Sequence, residues 1–171
     1  SRVNTCLNRY NQARECLSTM YREAREITHQ ACVLSEDDPN VRAAREWRHE
    51  VAYRCLILLK TSMQVLDFQT DKILPWDIPE LNGIEKQDVQ QHVGLMLSSD
   101  ETCRYSHSST RSEWEEAMRV PIRIGYLLKR SVRSQRKRLQ EPFKVAHESR
   151  MQSNISTFMT GYYGLTKFLT T

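Results

Sequence analysis

Two six-residue stretches, "AREITH" at 24–29 and "AREWRH" at 44–49, each carry Glu-x-x-His: Glu26 with His29, and Glu46 with His49. One helical turn puts a carboxylate and an imidazole on the same face. Di-iron helical bundles use two such pairs, with one further Glu from each of two other helices. Here each Glu directly follows an Arg and lies outside the apolar seam, and no isolated core-facing glutamates stand out later in the chain. An exposed charged face is the favoured reading, and a di-iron enzyme the least favoured function.

The second candidate is "KRSVRSQRKR", 129–138. On a continuous helix Lys129, Arg130, Arg133, Arg136 and Lys137 fall within about 120° of one another, with Arg138 on the far side. Such a stripe suits phosphates, lipid headgroups or small anions drawn into a vestibule. It carries no interleaved aromatic residues, which argues against single-stranded nucleic acid. The histidines stand apart, and no Gly-rich phosphate loop, G-x-S-x-G or H-E-x-x-H occurs, so catalysis has no support beyond the Glu-x-x-His pairs. Cys6, Cys16, Cys32, Cys55 and Cys103 are widely spaced, without C-x-x-C, and read as reduced thiols rather than zinc ligands or a disulfide framework.

The elements that position these residues read as helices. Val3, Cys6, Tyr10, Ala13, Leu17, Met20, Ala24, Ile27, Ala31 and Leu34 follow a repeat of about 3.5 residues, the seam of one long helix over 1–34. Pro39 and the acidic run before it end that helix. A second helix over 40–70 carries Val41, Ala44, Val51, Cys55, Leu58 and Val65, interrupted by Arg48; its middle, "CLILLK", reads as the more buried. The two are expected to pack as an antiparallel hairpin. Shorter helices are expected over 85–97 and 112–139, the latter opened by a Ser112–Glu115 capping box and kinked at Pro121. A last helix over 141–171 shows Met151, Ile155, Phe158, Tyr162, Leu165 and Leu169. No stretch alternates with the period of a strand, so the fold class is all-α, long antiparallel helices in a bundle within a single helical region, 1–171. The 171 residues, with a formal charge of +4, are mildly basic. The longest apolar run, Cys55 to Leu59, is far too short to cross a bilayer. Both ends look cut, with the heptad rhythm already running at the first residues.

"RVNTCLNRYNQAR" resembles the signature of bestrophin-type anion channels, a run of the form F-R-x-N-x-x-Y-x-R-[W/Y]-W-E-A-R. Arg2, Asn4, Arg9, Tyr10, Ala13 and Arg14 match in register, while Ser1, Leu7, Asn11 and Gln12 depart from it. "YYGLTKFLTT" resembles the stretch before that family's Thr-Pro-x-Pro-Phe segment, and "EWEEAMRVPIRIGYLLKRSV" its Val-Pro-containing helical region. The resemblance implies a homopentameric channel conducting chloride or bicarbonate through a plasma or thylakoid membrane, with no catalysis and no nucleic-acid partner. These helices would then form its aqueous vestibule. It also implies a pore constriction near Phe143 or Lys144, a calcium site outside this segment and no cofactor within it. The alternative from a different class is a soluble helical binding module whose basic stripe engages acidic partners or phosphates.

Overall fold

A computed structural model describes residues 1–71, 79–93 and 110–169, with side chains over 1–67, 79–92 and 114–168. The described residues are helical, without strands: α1 (Arg2–Leu34), α2 (Val41–Asp71), α3 (Gly83–Val93), α4 (Thr110–Arg133), α5 (Gln135–Arg138) and α6 (Val145–Leu169). α1, α2, α4 and α6 close a four-helix bundle in that cyclic order, and α3 lies outside it against α4.

Neighbouring long helices run antiparallel. The Cys55 thiol meets the Ala24 carbonyl while Arg48 reaches Ser35. Trp47 meets Ser131 while Arg54 meets Leu127. Tyr162 meets Met118 while Gln152 meets Lys129. Up-down-up-down packing of this kind buries one apolar stripe per helix.

The core follows the expected seams, with instructive slips. In α1 the buried stripe is Met20, Ala24, Ile27 and Ala31, while Val3, Leu7 and Tyr10 are exposed. In α2, Trp47 occupies the seam position read as Arg48, whose guanidinium instead caps the α1 C-terminus through Ser35. "CLILLK" is not buried all round: Leu56 is 66% exposed, on the outer face of α2. Met151, Ile155, Phe158, Tyr162 and Leu165 line the core from α6, as expected. α1 and α6 approach closely at Gly161 and Gly164, whose missing side chains leave room for Cys16 and Met20.

Three boundaries move. The third helix starts earlier, at Gly83, because Asn82 and Glu85 form a reciprocal cap: the Glu85 amide donates to Asn82 Oδ1 at 2.9 Å and the Asn82 amide to Glu85 Oε2 at 3.2 Å. Its expected end at 97 lies outside the described residues. Ser112 is already inside α4, so it is not that helix's cap. The expected helix over 112–139 is not continuous either. The Ser131 carbonyl accepts from the Trp47 indole at 2.8 Å, from Ser134 Oγ at 2.7 Å and from the Ser134 amide at 3.2 Å, a tightened i→i+3 turn that separates α4 from α5. Leu139 is then extended, and α6 begins only at Val145.

Pro121 sits buried inside α4. It removes the amide that would bond the Ala117 carbonyl. At the next carbonyl, Met118, the Tyr162 hydroxyl donates at 2.8 Å.

Candidate functional site

The residues singled out for chemistry separate in space. Glu26 accepts from Gln30 Nε2 at 2.8 Å and Glu46 from Arg42 Nε at 3.0 Å, both i,i+4 contacts along their own helices. His29, Glu46 and His49 are exposed, Glu26 is half-buried, and no cluster of metal-ligating side chains occurs among the described residues. The Glu-x-x-His pairs therefore decorate helix surfaces instead of facing one another.

The basic stripe spans the turn at Ser134. Lys129, Arg130 and Arg133 belong to α4 and Arg136 and Lys137 to α5; Ser134 between them keeps right-handed helical angles, and its amide donates to the Arg130 carbonyl at 2.9 Å. Lys129 Nζ donates to Ser156 Oγ of α6 at 2.7 Å. Arg136 Nε donates to Glu148 at 3.0 Å, and its second nitrogen completes a forked pair with the same carboxylate. Arg130 reaches over the Tyr126 ring, 6.0 Å from its centroid. Arg133 and Lys137 remain exposed, a solvated cationic surface at the α5 end of the bundle.

Phe143 and Lys144 differ in environment. Phe143 is half-buried against Trp47, with ring centroids 5.6 Å apart, and its amide donates to Gln135 Oε1 at 3.1 Å. Lys144 is exposed, and its carbonyl accepts the first amides of α6. Arg2, Asn4, Arg9, Tyr10 and Arg14 lie on the exposed part of α1.

Sequence reasoning missed the polar junction between α2, α3 and α4. Ser131 Oγ donates to Glu50 Oε1 at 2.8 Å, and Arg54 Nη1 donates to Ser131 Oγ at 2.8 Å and to the Leu127 carbonyl at 3.2 Å. Arg54 Nη2 donates to Glu85 of α3 at 3.3 Å, and Arg138 of α5 closes on the other oxygen of Glu50. Burial works to raise the Glu50 carboxyl, but the hydrogen bonds of Ser131 and Arg138 and the charge of Arg54 outweigh it, holding it below the ordinary carboxylate value. Beside this network lies a cleft of about 330 Å³ lined by Glu50, Arg54, Glu85, Asp88, Arg130 and Ser134, among others. Only the i,i+4 pair Glu50–Arg54 and the cap Asn82–Glu85 leave a signal along the chain.

A second junction closes the α5 end. Gln135 is buried and bridges Phe143 to Glu148, while the Asp38 carboxylate accepts the amides of Asn40 and Glu141, each at 2.9 Å. For Glu148, burial pushes the carboxyl up, but Arg136 and Gln135 pull it down further, leaving it below its usual value. Every carboxylate here is matched by a donor, so this end is a satisfied polar plug. Comparison with family models, with curated proteins and with solved structures gives no match to the chain.

Proposed function

We propose that this four-helix unit serves in a bestrophin-type anion channel as a part outside the bilayer, lining a path for chloride or bicarbonate. Flow is passive, several copies surround one pore as in the homopentamers of that family, and no catalytic step is involved. The observation that carries this reading is the bestrophin-like run Arg2, Asn4, Arg9, Tyr10 and Arg14 on α1. All five are exposed, so core packing does not account for them. Arg2, Arg9 and Arg14 are exposed there, with Glu15 the nearest acid along the chain, and Arg133 and Lys137 add exposed positive charge at the opposite end. Surfaces of one sign concentrate counter-ions by several kT, which suits a route for small anions. Phe143 is a less apt constriction than Lys144, because its ring packs against Trp47 of its own chain.

The test is chloride flux through liposomes containing the full-length protein. Arg133→Gln is the probe, since it removes an exposed charge without placing a second carboxylate near buried Glu148, on which the Arg133 charge acts. It is expected to lower flux roughly threefold to tenfold. Absence of chloride flux in the unsubstituted protein refutes the channel reading, and unchanged flux in the variant removes Arg133 from the ion path.

The exposed pair Arg133 and Lys137 favours a second reading, a module that binds acidic partners. On that reading the protein carries no flux but binds polyanions with affinity that falls steeply with salt.

A further inference from the structure

α3 is held to the bundle by charge as well as by apolar burial. Of its apolar residues with described side chains, Val89 is buried and Ile84 is 81% exposed; just upstream, Leu81 is buried too. At 11 residues the helix is too short to be stable by itself, and among the described residues its close backbone contacts with other helices are with α4. Yet each carboxylate between residues 79 and 93 meets a base on a long helix. Glu80 pairs with Lys60 of α2, Glu85 with Arg54 of α2, and Asp88 with Arg123 of α4.

The geometry of the last pair is that of a guanidinium gripping an oxyanion. Arg123 Nε and Nη2 each donate at 2.8 Å to the two oxygens of Asp88. The same two-pronged grip accepts a phosphate. Arg123 also lies over the Tyr126 ring at 4.5 Å, and Arg130 approaches the same ring at 6.0 Å. Arg130 and Arg54 line the neighbouring cleft together with Glu85 and Asp88. Three arginines from two helices therefore converge on the two carboxylates of α3.

We propose that Arg54, Arg123 and Arg130 form an oxyanion site of phosphate type, and that α3 is its built-in occupant, with Glu85 and Asp88 in the place of the ligand. A competing oxyanion displaces the carboxylates and loosens α3, leaving the four long helices intact. The site lies on the α3/α4 side of the bundle, and the inference stands whether or not the chain conducts anions.

Hydrogen exchange on the full chain tests it, read on amides of α3 and of α6, with inorganic phosphate as the probe and sodium chloride at matched ionic strength as the control. Phosphate is expected to speed α3 exchange roughly threefold to tenfold beyond chloride, with α6 unchanged. Asp88→Asn is expected to speed α3 exchange by a similar factor without phosphate. Arg123→Gln is expected to give fast α3 exchange that phosphate no longer alters. The proposal is overturned if phosphate acts no more strongly than chloride, or if Asp88→Asn leaves α3 unchanged. It is overturned equally if phosphate speeds α3 and α6 together, since α3 would then open only with the whole bundle.

Discussion

Two glycines on α6 separate two kinds of crowding against α1. A methyl group added at Gly161 would lie 2.9 Å from the Cys16 carbonyl oxygen and 3.0 Å from Met20 Cγ. The first neighbour is backbone, at least about 0.5 Å inside ordinary van der Waals contact, and it cannot rotate away. α1 and α6 must separate along their whole shared face to admit the methyl. Overpacking against backbone, which cannot yield, falls in the upper part of the usual range, about 2–3 kcal/mol, against which Ala returns about 1 kcal/mol of helix propensity. Gly161→Ala should therefore lose about 1–2 kcal/mol, or roughly 3–6 °C in Tm for a chain of this size. At Gly164 the obstacle is a side chain: the added methyl would lie 2.6 Å from Cys16 Sγ and an unstrained 3.8 Å from Cys16 Cβ. Gly164→Ala should destabilise in the native background but become neutral or stabilising beside Cys16→Ala, with a coupling of about 1–2 kcal/mol. Cys16→Ala should give no such relief to Gly161→Ala, because the carbonyl remains. Urea unfolding followed by far-UV circular dichroism on the six proteins of the two cycles measures both couplings. Equal rescue of the two glycine substitutions by Cys16→Ala, or a Gly161→Ala protein at least as stable as the parent, would refute the close-approach argument.

Other consequences concern the polar junctions. Trp47→Phe keeps most of the buried ring but removes the indole donor to the Ser131 carbonyl, and should cost about 1–3 kcal/mol in denaturant unfolding; a change under about 0.5 kcal/mol would show that the Ser134 bonds suffice there. Glu50, Asp88 and Glu148 have folded-state values below their ordinary ones, so each adds stability above the unfolded value that is lost as pH falls through the folded value. Stability should decline below about pH 5, and Glu148→Gln should lower it at pH 7 while making the acid decline shallower. An unaltered acid slope in that variant, measured as Tm against pH, would remove Glu148 as a contributor.

How much of this was legible in the chain depends on the range over which each signal acts. The seams of α1, α2 and α6 were readable because helical periodicity is local, and Met20, Ile27, Leu58, Ile155 and Phe158 fall in the core where the spacing puts them. Arg48 misled because a seam position one residue off is equally periodic: only the α4 carbonyl that receives the Trp47 indole decides which of the two turns inward. Within the basic run, the local tightening at Ser134 has a long-range partner too, since the Ser131 carbonyl also accepts from Trp47, 84 residues away. The candidate cleft was invisible since its ion pairs join residues such as Arg123 and Asp88, 35 apart, and no local pattern marks such partners.

The placement of charge divides the acids between those that fasten the bundle and those that face solvent. A net charge of +4 describes a mildly basic chain, yet the acids and bases are not mixed evenly. The carboxylates of greatest burial, Glu148 and Asp38, are spent on fastening the α5 end, and Glu50 fastens α2 to α4 and α5. The carboxylates of α3 neutralise arginines on one side. The bases left to solvent include Arg2, Arg9 and Arg14 on α1, followed by exposed Glu15, and Arg133 and Lys137 at the α5 end, which also exposes Glu36, Asp37 and Glu141. Ion pairing uses acids and bases in matching numbers, so the chain's excess of positive charge stays on the surface that faces solvent. Any small anion or acidic group meeting this protein encounters that field first, and α3 decides how much more of it is uncovered.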